Sequence, residues 1–288
     1  MGISHSTARW LAPLSFAVDF AAQTYGMMIS SPSMKEVHDA NISFFSPQPF
    51  FIAGFFMPQQ LFQLVWLYRL CRSPSSTSSS TSSVAKPPGS GTFNSDHPGP
   101  DNDENDQDVS TMVDFAPYYA LGNFCIATWM IFWNQTALRT SNMFVLINTL
   151  AQLYYVSTRL PTMNLSSTNS ILTHIVAKTF AGIGVLDLLH NTSVAYFDHQ
   201  MTPSVLTKTL TGIGFASMAL GSDWIFGSCL AYDLVALAVG QRQYGNESWG
   251  NLLAMYAGGT AVVVGLRNLI QPPYNGRGAS GYSSLPSE

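Results

Sequence analysis

Phe50–Leu70, Ala116–Leu138, Met143–Leu160, Ile171–Leu189 and Leu252–Ile270 are apolar runs of about twenty residues each, the length that crosses a bilayer core roughly 30 Å thick. A soluble domain does not stack so many of these runs with so few charges between them. The chain is therefore expected to be an all-α polytopic transmembrane bundle. Composition agrees, because only 10% of its 288 residues are charged, against about 25% in soluble domains.

Eight spans are expected, at about 10–29, 50–70, 116–137, 142–160, 171–191, 204–221, 223–240 and 249–270. The first is weakened by Asp19, Gln23 and Thr24, which leaves a seven-span reading open. Gly221-Ser222-Asp223 is the expected turn between the sixth and seventh spans, and Pro272-Pro273 ends the eighth. The chain then divides into an N-terminal membrane segment (1–71), a linker (72–115), a six-span bundle (116–271) and a C-terminal tail (272–288).

The linker opens on a serine-rich tract at 73–83 and carries Asp96, Asp101, Asp103, Glu104, Asp106 and Asp108 against one base, Lys86. This composition buries too little apolar surface to offset chain entropy, so the linker and the tail are expected to be disordered. The net charge of −4 originates in the linker, and no basic surface for nucleic acid remains elsewhere. Cys71, Cys125 and Cys229 suggest no disulfide framework. Met1-Gly2-Ile3-Ser4-His5-Ser6 fits the N-myristoylation pattern, although a polytopic chain has little need of an acyl anchor.

Orientation follows from the bases. Arg9, Arg69, Arg72, Lys86, Arg159, Arg267 and Arg277 fall on one side, and Lys35, Arg139, Lys208 and Arg242 on the other. Both termini and the linker are thus expected in the cytosol, in a plasma membrane or endomembrane. The sequons at Asn41, Asn134, Asn191 and Asn246 fall on the non-cytosolic side, and the one at Asn164 on the cytosolic side.

Ionisable and amide side chains inside spans are costly and mark functional sites or interhelical glue. Asp19 and Gln23, and Asn148 and Gln152, are i,i+4 pairs that each share a helix face. Gln59, Gln60 and Gln63 follow Pro58, where a kinked or broken helix is expected beside Asp19. With Asp233 these residues are the candidates for a mid-membrane polar cavity. Asp187 and His190 form a second set toward the non-cytosolic face, with His38-Asp39 and Asp198-His199 in nearby loops. That spacing matches no metal motif, and no cofactor is implied. Lys178–Gly184 and Lys208–Gly214 echo each other, with glycines suited to close helix contact.

The stretch Phe44–Gln60 with Trp66-Leu67-Tyr68-Arg69, together with Gly221-Ser222-Asp223-Trp224 and Ala231-Tyr232-Asp233-Leu234, resembles uncharacterised multi-pass membrane proteins of filamentous fungi. The resemblance implies a fungal source and carries no activity. Small fungal membrane-bound terpene cyclases share the architecture by analogy, but their motifs are absent here.

Three functional readings follow. The first is a non-enzymatic membrane protein whose partners are the lipid bilayer and a small apolar ligand, with a cavity that binds or passes a small molecule, lipid or proton. The second is a membrane-embedded enzyme using Asp19, Asp187 or Asp233 as general acid on a terpenoid or lipid substrate. The third is an adaptor working through its cytosolic linker.

Overall fold

The computed structural model describes residues 3–73, 100–197 and 199–270, with side chains from 107 onward in the second stretch. Most of the expected linker, the tail from 272 and Asp198 lie outside the described residues. Among the described residues the fold is all-α, with nine α-helices: α1 (His5–Met28), α2 (Met34–Ala40), α3 (Pro49–Arg72), α4 (Pro100–Asn134), α5 (Leu138–Tyr154), α6 (Thr168–Tyr196), α7 (Val205–Gly221), α8 (Trp224–Gln243) and α9 (Glu247–Ile270). A five-residue π-helical stretch, Tyr155–Arg159, extends α5.

Local chemistry sets the boundaries. Ser4, Ser33, Ser167, Ser204 and Asp223 each cap a helix by accepting a backbone N–H of its first turn. Ser33 and Glu36 form a reciprocal capping box, and Pro49 opens α3 at the position where its missing N–H does no harm. Ser222 and Asp223 make the expected turn, Ser222 ending α7 and Asp223 starting α8.

Every expected span falls on a helix. Four of these helices, α3, α6, α8 and α9, have the length and apolarity to cross a membrane, and α7 is apolar but only 17 residues long. At 1.5 Å per residue α7 spans roughly 25 Å. Two expectations differ from what is observed. α3 runs unbroken through Pro58 from Pro49 to Arg72. The expected linker also ends earlier than 115, because α4 begins at Pro100 and buries Val109, Met112, Phe115 and Ala116 at helical spacing. The neighbouring acids obscure that stripe in the sequence.

Helix ends sort to two faces of the bundle. At one, Arg9 donates to Leu70 O, Arg159 pairs with Asp114 at 3.2 Å, and Lys178 pairs with Asp223. At the other, Trp133 Nε1 donates to Met34 O and Ser43 bonds Ser193. The loop Asn41–Gln48 is folded into this second end. Gln241 Nε2 donates to Ser43 O (2.9 Å) and Ser46 O (3.1 Å), Trp249 Nε1 to Phe44 O (2.7 Å), and Phe44 and Phe45 are buried.

Polarity is inverted relative to a water-soluble bundle. Ser15, Asp19, Gln23, Gln63, Asn123, Asn148, Gln152, Asp233 and Gln241 are buried. Leu61, Leu64, Val65, Leu146, Leu150, Leu210, Ile213, Met255 and Val262 are exposed. Contiguous apolar exterior over several helices is the surface that a lipid solvent selects.

Glycines permit the closest approaches. A Cβ on Gly182 would lie 2.4 Å from the Cβ of Cys229, and one on Gly212 would lie 2.9 Å from the ring of Tyr256, so both copies of the echoed motif serve helix contact. A Cβ on Gly240 would lie 2.6 Å from backbone atoms of Ser46, Pro47 and Gln48, whereas one on Gly258 would meet nothing within 4 Å. Gly240→Ala is expected to lower stability by about 1–3 kcal/mol, since backbone cannot rotate away. Gly258→Ala should be neutral or slightly stabilising through helix propensity. Melting of both variants in detergent checks this; equal melting temperatures contradict the close packing of the loop on α8.

Candidate ligand cavity

α1 buries a stripe at 8, 12, 15, 19, 23 and 26, and this stripe packs on α4. Gly26 lets the pair close up: its carbonyl accepts from Asn134 Nδ2 at 3.2 Å, and a Cβ there would strike Met130. The stripe turns Asp19 and Gln23 inward, and Gln23 Nε2 donates to both carboxyl oxygens of Asp19, at 3.1 and 3.0 Å. α3 is anchored differently. Only its C-terminal half, from Gln59, contributes buried residues, and Trp66 there packs on Phe115 and Tyr119 while donating to Thr173 Oγ1 at 3.1 Å.

A cavity of about 300 Å³ lies between α1, the N-terminal half of α3, α4 and α6. Its polar lining is Asp19, Gln23, Gln59, Gln60, Gln63, Asn123 and Asp187, and its apolar lining includes Met27, Met34, Ile52, Phe55, Phe56, Ile126, Trp129, Phe180 and Ile183. Gln63 Oε1 accepts from Tyr119 Oη at 2.7 Å, which fixes one amide. Gln59 Nε2, Gln60 Oε1 and Asn123 Oδ1 are buried without hydrogen-bond partners. Asp187 is half-buried and lines the same void. The lining offers two carboxyls, free amide donors and acceptors, and a predominantly apolar wall, which suits a small amphipathic molecule.

Six of the ten residues singled out in the sequence meet here: Asp19, Gln23, Gln59, Gln60, Gln63 and Asp187. The other four do not. Asn148 and Gln152 face Gly122, where a Cβ would lie 2.8 and 2.6 Å from their side-chain atoms, and Gln152 Nε2 donates to Tyr118 O at 2.8 Å. Gln152 thus joins α5 to α4, while Asn148 Oδ1 and Gln152 Oε1 are buried without a hydrogen-bond partner. Asp233 is 0% exposed on α8, with neither carboxyl oxygen partnered, and lies outside the lining. His190 belongs to the end of the bundle. Asn123 and Trp129 were not singled out beforehand, although Asn123 carries the same signal, an amide within an apolar run. Among the described residues no three His, Cys, Asp or Glu side chains are grouped to hold a metal.

Compared with known proteins, the chain matches no family model, no curated protein and no solved structure.

At the bundle end His38 Nδ1 lies 3.2 Å from His190 Nε2, and His38 Nε2 lies 3.0 Å from Tyr244 Oη, which donates to Pro47 O at 3.3 Å. One proton arrangement satisfies all three: Tyr244 donates to Pro47, His38 Nε2–H donates to Tyr244, and His190 Nε2–H donates to His38 Nδ1. Asp39 is instead exposed, paired with Lys35. Burial lowers the His38 pKa to about 4 despite the neighbouring Asp39 charge, and raises that of Tyr244 to about 12.

A histidine held below its ordinary 6.5 binds a proton more readily unfolded than folded. Its contribution is therefore full above about 6.5 and is lost as pH falls from there toward 4, up to about 3 kcal/mol. Detergent-solubilised protein should lose stability across this window, and His38→Gln should flatten the loss. Identical pH profiles for wild type and His38→Gln contradict a buried neutral His38.

Proposed function

We propose that the protein is an integral membrane protein whose eight long helices cross the bilayer, and that its cavity binds a small amphipathic molecule and holds it or passes it on. The observation that carries this reading is the convergence of Asp19, Asp187, Gln59, Gln60 and Asn123 on one largely apolar void, each of the three amides having one buried atom without a partner. Buried polar atoms without protein partners are costly, and a ligand that supplies the missing bonds recovers that cost. Carboxyl oxygens accept, so the ligand class is an apolar body bearing an N–H or O–H donor, most simply an amine or alcohol.

A second reading rests on the same two carboxyls. A membrane-embedded enzyme acting on an apolar substrate needs a positioned acid near a dry wall, and Asp19 and Asp187 both meet that need. Recovery of an altered molecule, rather than of the molecule supplied, separates that reading from simple binding.

The test uses two probes of similar size and opposite character, 2-phenylethylamine and 3-phenylpropionate, with the purified full chain in detergent. The amine should raise the melting temperature and the acid should not. The double variant Asp19→Asn/Asp187→Asn keeps the side-chain shape and should fold, but lose the amine response. No response to the amine, or an equal response in the double variant, contradicts the proposal.

A further inference from the structure

A second pocket, of about 430 Å³, lies at the opposite end of α6 from His190, where α6, α7, α8 and α9 meet. We propose that it is an anion site that takes a phosphate group. It shares no residue with the cavity above, and the argument does not depend on that cavity's ligand.

His174 and Lys178 are one turn apart on α6 and so share a face, and both line the pocket with Ser222, Asp223 and Arg267. Asp223 is committed to the protein: Oδ1 accepts from the Phe226 N–H at 3.1 Å, capping α8, and Oδ2 takes the Lys178 ammonium. Arg267 is oriented by donating to the carbonyl of Ser222, which Asn268 Nδ2 also approaches at 3.2 Å. Among the described residues Arg267 makes no ion pair. Among the described residues lining the pocket, two cations, Lys178 and Arg267, stand against one carboxylate, Asp223, which leaves an excess positive charge.

His174 supplies the independent sign of a ligand. It is 2% exposed, and neither ring nitrogen has a hydrogen-bond partner. A buried imidazole without a partner needs an explanation. His174 lines the same pocket as Lys178 and Arg267. A phosphate oxygen would accept from the ring N–H while the guanidinium fork takes the other oxygens in the manner that suits this group. The remaining walls combine apolar Leu153, Val156, Met218 and Phe226 with the hydroxyl residues Ser157, Thr162 and Ser217. The phosphate can come from a lipid headgroup or from a phosphorylated solute.

The full chain, purified in detergent, is titrated with dioctanoyl phosphatidic acid, dioctanoyl phosphatidylcholine and inorganic phosphate, and binding is read by native mass spectrometry and thermal shift. Saturable binding of phosphatidic acid alone supports the site with a lipid source; binding of inorganic phosphate as well supports it with a soluble one. Arg267→Gln keeps a donor for the Ser222 carbonyl but removes the charge, and should weaken binding about tenfold or more. Arg267→Lys should retain most of it. Should Arg267→Gln fail to fold, His174→Phe preserves the ring and removes both nitrogens, with the same loss expected. Phosphatidylcholine binding as tight as phosphatidic acid, no saturable binding of either phosphate probe, or full binding by both Arg267→Gln and His174→Phe overturns the proposal.

Discussion

The proposed membrane location rests on one constraint, a surrounding solvent that cannot hydrogen-bond. In lipid, an outward amide or carboxyl has no partner, so polar side chains are driven inward and must find each other or a guest. Apolar exteriors such as the faces of α7 and α9 that carry Leu210, Ile213, Met255 and Val262 then need no covering. Helix association cannot draw on apolar burial as it does in water, and instead uses close backbone approach and internal hydrogen bonds. Gly26 against Met130, Gly182 against Cys229 and Gly122 against Gln152 are the first device. Trp66 to Thr173, Trp129 to Asn191 and Thr149 to Gly184 O are the second.

This constraint also accounts for where the structure is incomplete. Three sides of the cavity are built by tightly joined helices, α1 with α4 and α3 with α6 through its C-terminal half. The N-terminal half of α3 packs toward α8 instead, through Phe51 and Phe55 against Tyr232, and its approach is set by the loop Asn41–Gln48, which is tied to α8 and α9 by Gln241 and Trp249. Tyr232 Oη adds a bond to Phe51 O at 2.6 Å. Anchored at both ends, α3 leaves a space in the middle, and the polar side chains aimed into it remain partly unsatisfied.

Much of this was legible in the sequence. Helix positions followed from the apolar runs and the turn at Gly221-Ser222-Asp223, and the i,i+4 pair Asp19 and Gln23, with the glutamines after Pro58, marked the cavity. The remaining assignments failed because polarity within a span reveals a demand for a partner without revealing which partner meets it. Asn148 and Gln152 carry the same signal as Asp19 and Gln23, yet they lie against a glycine and a backbone carbonyl on α4. Asp187 was grouped with His190 because i,i+3 residues share a helix face, but His190 lies one turn nearer the bundle end, where it meets His38, while Asp187 lines the void. The early start of α4 was hidden because a stripe beginning at Val109 was surrounded by acids. His174 lay within an apolar run, and only its unpartnered, buried state singles it out.

The central claim is that the exterior of this bundle is solvated by lipid and its polar interior is not. Photolabelling with a membrane-partitioned diazirine in lipid vesicles, mapped by mass spectrometry, tests it most directly. The account predicts labels on exposed positions such as Leu61, Leu210, Met255 and Val262 and none on buried Trp66, Leu230 or Leu234. Labels distributed equally over both groups, or absent from the exposed faces of α3, α7 and α9, would contradict it.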